Sequence, residues 1–98
     1  MMGVRETDAY AEWFAKLRDS RAKGRILVRI RRLSLGNPGD VRPVGAGVSE
    51  LRIDSGPGYR VYYVERGSMI IVLLCGGDKS SQDNDIKEAK ALAQRLKE

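Results

Sequence analysis

Residues 48–77 read VSELRIDSGPGYRVYYVERGSMIIVLLCGG, and this stretch decides the fold class. In 48–54, Leu51 and Ile53 alternate with Glu50, Arg52 and Asp54, the period-two pattern of a strand with one apolar and one wet face. Gly56-Pro57-Gly58 turns the chain. Residues 59–65 are rich in aromatic and β-branched side chains and read as the next strand, ended by a tight turn at Arg66-Gly67. Residues 69–75 are apolar at every position, as in an interior strand covered on both faces, and Gly76-Gly77 ends it.

Upstream the period is helical. Thr7 is placed to cap a first helix, with Asp8 in the first turn where a carboxylate suits the dipole. Tyr10, Phe14 and Leu17 recur at helical spacing toward a core, and Trp13 flanks them. Asp19-Ser20 breaks this helix and caps a second, over 21–35, whose apolar stripe is Ala22, Ile26, Ile30 and Leu33. Arg21, Arg25, Arg29 and Arg32 share another face of it. Gly36-Asn37-Pro38-Gly39-Asp40 is a strong stop. Residues 1–5 form a candidate strand weakened by Gly3, and 42–44 a second short one. Downstream, Ser80 or Ser81 caps a last helix, with Asp83 placed for a capping box and Ile86, Ala89, Ala93 and Leu96 facing inward. The expected architecture is α+β, a single domain over 1–98: two N-terminal helices packed on a small, mostly antiparallel sheet of three or four strands, then a C-terminal helix.

Composition narrows the function. The 98 residues carry 18 Lys+Arg against 13 Asp+Glu, a net charge of +5 without histidine. That balance suits contact with nucleic acid or with an acidic protein. One cysteine, Cys75, allows no internal disulfide, and in its apolar run it reads as an inert core thiol. With no cysteine–histidine cluster, no metal site and no cofactor are expected. The longest apolar run is too short to span a bilayer, so the chain is expected in the cytoplasm. Gly45-Ala46-Gly47 and the other glycine pairs lack the strand-to-helix setting of a dinucleotide fingerprint.

Five segments occur in a characteristic order: Arg5-Glu6-Thr7, Arg29-Ile30-Arg31-Arg32-Leu33, Gly36-Asn37-Pro38-Gly39-Asp40, Glu50-Leu51-Arg52-Ile53 and Gly56-Pro57-Gly58-Tyr59-Arg60-Val61-Tyr62. Gly76-Gly77-Asp78-Lys79-Ser80 closes the series. In this order the chain resembles addiction-module killer proteins, the HigB-like branch of the RelE/ParE toxin superfamily. The resemblance implies a helix pair on a sheet and a neutralising antitoxin, usually a small helix-turn-helix protein, in a toxin–antitoxin hetero-oligomer. It also implies entry into the ribosomal A site and cleavage of mRNA without a metal. A ParE-like branch instead poisons DNA gyrase, and a non-enzymatic basic binding module is the third reading. Some relatives use a histidine, others a tyrosine in the last helix. This chain has neither, so the resemblance hands it no acid–base pair.

Metal-free RNA cleavage sets the 2′-hydroxyl against its own phosphate, and the protein must hold the charge gathering on the phosphoryl oxygens. Arginine suits that work because its planar fork grips phosphate and stays charged. Arg52 on the wet strand face and Arg60 past the turn are candidates, since cross-strand neighbours lie about 5 Å apart. By resemblance, Arg60 matches the arginine of the family's Tyr-Arg strand motif and Lys79 falls near the basic residue after the last strand. Lys79 follows a glycine pair that would let a ligand approach the backbone. Tyr62 shares strand parity with Arg60 and is a candidate to stack on a base; Arg42, Arg25, Arg29 and Arg32 are candidate phosphate contacts. Each has a structural alternative. Arg52 can bridge to Glu50, Asp54 or Asp78, Tyr62 can be a core tyrosine, and the arginines of the second helix can form a solvated face. The nuclease reading fails if Arg52 and Arg60 diverge, or if internal carboxylates engage both with no open concavity beside them.

Overall fold

The computed structural model describes residues 1–96; the last two residues of the expected domain, 97 and 98, lie outside the described residues. The elements run β1 (Gly3–Glu6), α1 (Asp8–Lys16), α2 (Ser20–Ser34), β2 (Val41–Gly45), β3 (Val48–Arg52), β4 (Arg60–Arg66), β5 (Ile70–Gly77), a single 3₁₀ turn (Lys79–Ser81) and α3 (Gln82–Arg95). The fold is α+β, as the alternation of periods predicts.

The sheet has five strands in the order β1-β5-β4-β3-β2, not three or four. The strand expected at the N-terminus is real, and it pairs parallel with β5, from Gly3 opposite Ile70 to Glu6 opposite Leu73. Four residues carry too little pattern to announce this. The strand is held by its neighbours, with Gly3 N donating to Met69 O at 2.7 Å and Thr7 N to Leu73 O at 3.0 Å. Thr7 joins this strand to α1: its hydroxyl accepts from Tyr10 N at 3.1 Å, capping the helix, and donates to Leu74 O. Asp19 caps α2 through Ala22 N in the same way.

Both faces of the sheet are covered. On one, Tyr10 of α1 and Ile26, Ile30 and Leu33 of α2 meet Leu51, Val61, Tyr63, Ile71 and Leu73. On the other, Ala89 and Ala93 of α3 pack on Val48, Tyr62, Val64, Leu74 and Cys75. A β-bulge places one extra residue of β5 between the partners of Tyr62 and Tyr63, so that Leu74 and Cys75 both serve the α3 layer. Cys75 is buried as expected, and burial pushes its thiol up to about 12.

Three local expectations are corrected. The β3 face carrying Glu50 is not wet, because α3 lies across it and Glu50 is fully buried. Ser81 does take the N-cap position before the last helix, but the capping bonds belong to a preceding 3₁₀ turn. The Asp78 carboxylate accepts from Ser80 N at 2.8 Å, and Ser81 completes a capping box with it, in place of the box expected from Asp83. Ser81 then stands at the N-cap of α3 with no side-chain cap of its own. Nor are Gly76 and Gly77 open to a ligand. A Cβ on Gly76 would overlap the Trp13 ring, and one on Gly77 would overlap the Asp85 carboxylate. The pair exists so that a helix can seat on each side of β5.

Candidate functional site

The short turn after β3 returns the chain so that Arg52 and Arg60 are direct cross-strand partners, with Glu50 opposite Tyr62 on the next pair of the same face. The structure therefore brings Arg52, Arg60 and Tyr62 together, as strand parity requires. What organises them is Glu50, which sequence reasoning placed in solvent. Glu50 Oε1 lies 3.5 Å from Arg52 Nε, and Oε2 lies 3.5 Å from Arg60 Nε. Oε2 also accepts from the Tyr62 hydroxyl at 3.0 Å and from Gln82 Nε2 at 2.9 Å. Oε1 and Arg60 Nε have no hydrogen-bond partner among the described residues, so these contacts are ionic attractions to a buried carboxylate and not hydrogen bonds.

Exposure separates the two arginines. The Arg52 side chain is 36% exposed and that of Arg60 only 8%. Arg60 is thus an internal cation, a correction to the expectation of an open strand face. Its Nη1 donates to Gly58 O at 3.1 Å. Gly58, at φ +81°, separates it from the stem of Lys79: a Cβ there would stand 3.6 Å from Lys79 Cβ and 3.7 Å from Arg60 Nη1. Lys79 is exposed on the 3₁₀ turn, at the rim of a polar concavity of about 480 Å³ shared with Gln82, Asn84 and Lys87. Tyr62 is fully buried, which leaves no ring face for a base and corrects its assignment as a stacking residue. Burial first, then the Glu50 carboxylate, raises its phenol well above the ordinary value, so it remains a proton donor to Glu50. Arg42 is exposed on the edge strand β2, in register with Glu50.

Arg25, Arg29 and Arg32 do not join this cluster. They line α2 on the opposite side of the sheet, around a groove of about 500 Å³ that also takes in Arg21, Gly24, Val28 and Ile53. Arg29 is largely consumed there: its fork donates to the carbonyls of Arg52, Pro38 and Asp40 and so ties the 36–40 loop to the end of β3. Arg25 donates to Asp54 O at 3.0 Å.

Sequence reasoning named Glu50 as a candidate bridge to Arg52, a bridge the structure contains, but missed its burial and its contact with Arg60, and it missed Gln82 altogether. A signal for Glu50 existed. A β5 covered on both faces implies that its neighbours are covered too, and Glu50 shares its face with Tyr62. Among the described residues no group of three or more His, Cys, Asp or Glu is arranged to hold a metal, and no helix is long and apolar enough to cross a membrane.

A helix pair on one face of a mixed sheet, one helix on the other, and arginine clusters on both sides define a small basic α+β protein. Comparison with known proteins narrows this. The family described as phage derived protein Gp49-like matches residues 12–98. An uncharacterized protein of Haemophilus influenzae is 52% identical over 93 residues, covering 95% of this chain and 94% of that one. The chain belongs to the Gp49-like phage-derived family, a toxin-like family of the RelE/HigB type.

Proposed function

We propose that this protein is the toxin of a type II toxin–antitoxin pair. An antitoxin encoded beside it holds it inactive, and once released in the cytoplasm it stops translation by cutting mRNA on the ribosome. The observation that carries the reading is the cross-strand pair Arg52–Arg60, two cations on one buried carboxylate, with the stem of Lys79 against the same Gly58 turn. A 2′-hydroxyl that attacks its own phosphate gives its proton to solvent water, and the P–O5′ bond breaks to leave a 2′,3′-cyclic phosphate and a 5′-oxygen that takes a proton from water. Charge gathers on the non-bridging oxygens, and fixed cations stabilise it without reorganising. Arg52 and Lys79 are the exposed members and contact the phosphate. Arg60 supplies a fixed positive potential from beneath. Glu50 is a positioning residue that aims both guanidinium groups, and Arg42 extends the positive edge along the RNA.

The same geometry favours a second reading, in which the protein blocks its target by binding alone. Glu50 already engages both arginines, and a cleaving site works best with its cations unspent.

Inducing the protein without a partner and mapping mRNA 5′ ends separates these readings. New ends within translated frames, reduced roughly 100-fold by Arg52→Ala or Lys79→Ala, support cutting. Arrested translation with intact transcripts selects the binding reading. DNA damage and supercoiling defects with translation running would make gyrase the target. Normal growth on induction rejects the toxin assignment altogether.

A further inference from the structure

Gly24 sits in the second turn of α2, exposed, with helical φ and nothing within 4 Å of where a Cβ would project. A glycine in a helix interior weakens the helix relative to alanine, and here no internal packing demands it. Gly76 and Gly77 have such a demand; Gly24 does not. The surface beside it is apolar as well. Leu27, Val28 and Leu35 are 55%, 50% and 55% exposed, half of the large hydrophobic residues most open to solvent among those described. Spacings of three, four and seven residues put Gly24, Leu27, Val28 and Leu35 along one side of the helix.

Beside this stripe runs the groove of about 500 Å³ between α2 and the end of β3. Its floor is Val28 and Ile53, and Arg21, Arg25 and Arg32 stand along it. Among the described residues that line it, Asp54 is the one acidic side chain. A solvated charged helix face needs neither the apolar floor nor the glycine notch, and a phosphate backbone gains nothing from an apolar floor. An apolar strip edged by unbalanced cations complements a segment with apolar side chains on one face and carboxylates beside them.

We propose that this groove docks an acidic amphipathic segment of a partner protein. The segment's backbone passes close over Gly24, its apolar side chains lie on Val28 and Leu27, and its carboxylates meet Arg21, Arg25 and Arg32. Assigning that segment to the antitoxin rests on the toxin reading of the protein; the docking itself does not.

Fluorescence anisotropy with three labelled probes tests it: a helical peptide with leucines at i, i+3, i+4 and i+7 flanked by glutamates, the same peptide with glutamine for leucine, and a single-stranded RNA oligonucleotide. The leucine peptide is expected to bind the parent, and to bind Gly24→Leu and Val28→Glu at least about tenfold more weakly. Gly24→Ala serves as the folding control, with a thermal midpoint at or above the parent's. The proposal is overturned by absent or unchanged peptide binding, by equal binding of the glutamine peptide, or by RNA being the probe that the two substitutions displace. In cells, a Gly24→Leu protein that still arrests growth but escapes rescue by the product of the neighbouring reading frame assigns the segment to the antitoxin. A parent that does not arrest growth rejects the toxin reading and leaves the peptide result standing.

Discussion

Asp85 projects from the first turn of α3 toward Gly77, where only a hydrogen leaves it room, and accepts the Ser81 hydroxyl at 2.5 Å. Burial raises its pKa above the ordinary carboxylate value, the Ser81 bond opposes that, and the charge of Asp78 adds to it. A raised folded-state pKa means that its contribution to stability is full below the unfolded value and is lost as pH rises through the folded one. Asp78, held low chiefly by its bond from the Ser80 hydroxyl, acts with the opposite sign: its contribution is present above the unfolded value and lost on acidification. Urea midpoints of Asp85→Asn and parent should therefore diverge in the variant's favour as pH rises from below the ordinary aspartate value of about 4. A constant gap would refute this account of Asp85. None of it is visible in the sequence, where Asp85 is one more acidic residue in a first helical turn. The apolar residues are legible there because their periodicity repeats along each segment. Glu50 is legible only indirectly, through the two-sided cover of β5, since a single charged residue in an alternating strand takes its environment from whatever lies above it.

Among the elements, those with a long period are the most legible. Helix α2, expected over 21–35, spans Ser20–Ser34, with Ala22, Ile26, Ile30 and Leu33 inward as the stripe requires. In the sequence its arginine face reads as a uniform cationic surface, and here the structure divides it. Arg29 spends its fork on three carbonyls from the 36–40 loop and β3, a job that needs planar, divergent N–H groups. Arg29→Lys should destabilise the protein by about 1.5–3 kcal/mol, because a single ammonium cannot satisfy all three acceptors. Hydrogen exchange should quicken at Arg52, whose amide bonds to Asp40 O at 3.0 Å. Unchanged exchange there would mean that the loop is held by something else. The turn at Gly45-Ala46-Gly47 is a related lesson: all three residues have positive φ, 100°, 56° and 77°, so the glycines serve a β2–β3 hairpin and no nucleotide.

At the scale of the whole molecule, the parallel strand β1 closes the edge of β5 that the hairpins leave open. β5 is apolar on both faces, and an uncovered edge of that kind is a template for pairing with another chain. Deleting residues 1–5 removes that cover and the Met2 N to Ser34 O bond of 2.9 Å to the end of α2. Light scattering should then report a larger mean mass than for the intact protein at equal concentration; an unchanged mass would show that β5 needs no guard. The sequence by itself determined the class of fold, the helices, the hairpin strands and which apolar side chains face inward, because these follow from periodicity and local caps. Only the tertiary structure decided that α3 seals the second face. That closure turns Glu50 and Arg60 into a buried ionic pair, removes Tyr62 from solvent and gives Gly76 and Gly77 their purpose. The physical reason is that burial belongs to layers, not to residues: a side chain's electrostatic role depends on which element, distant in sequence, comes to lie over it.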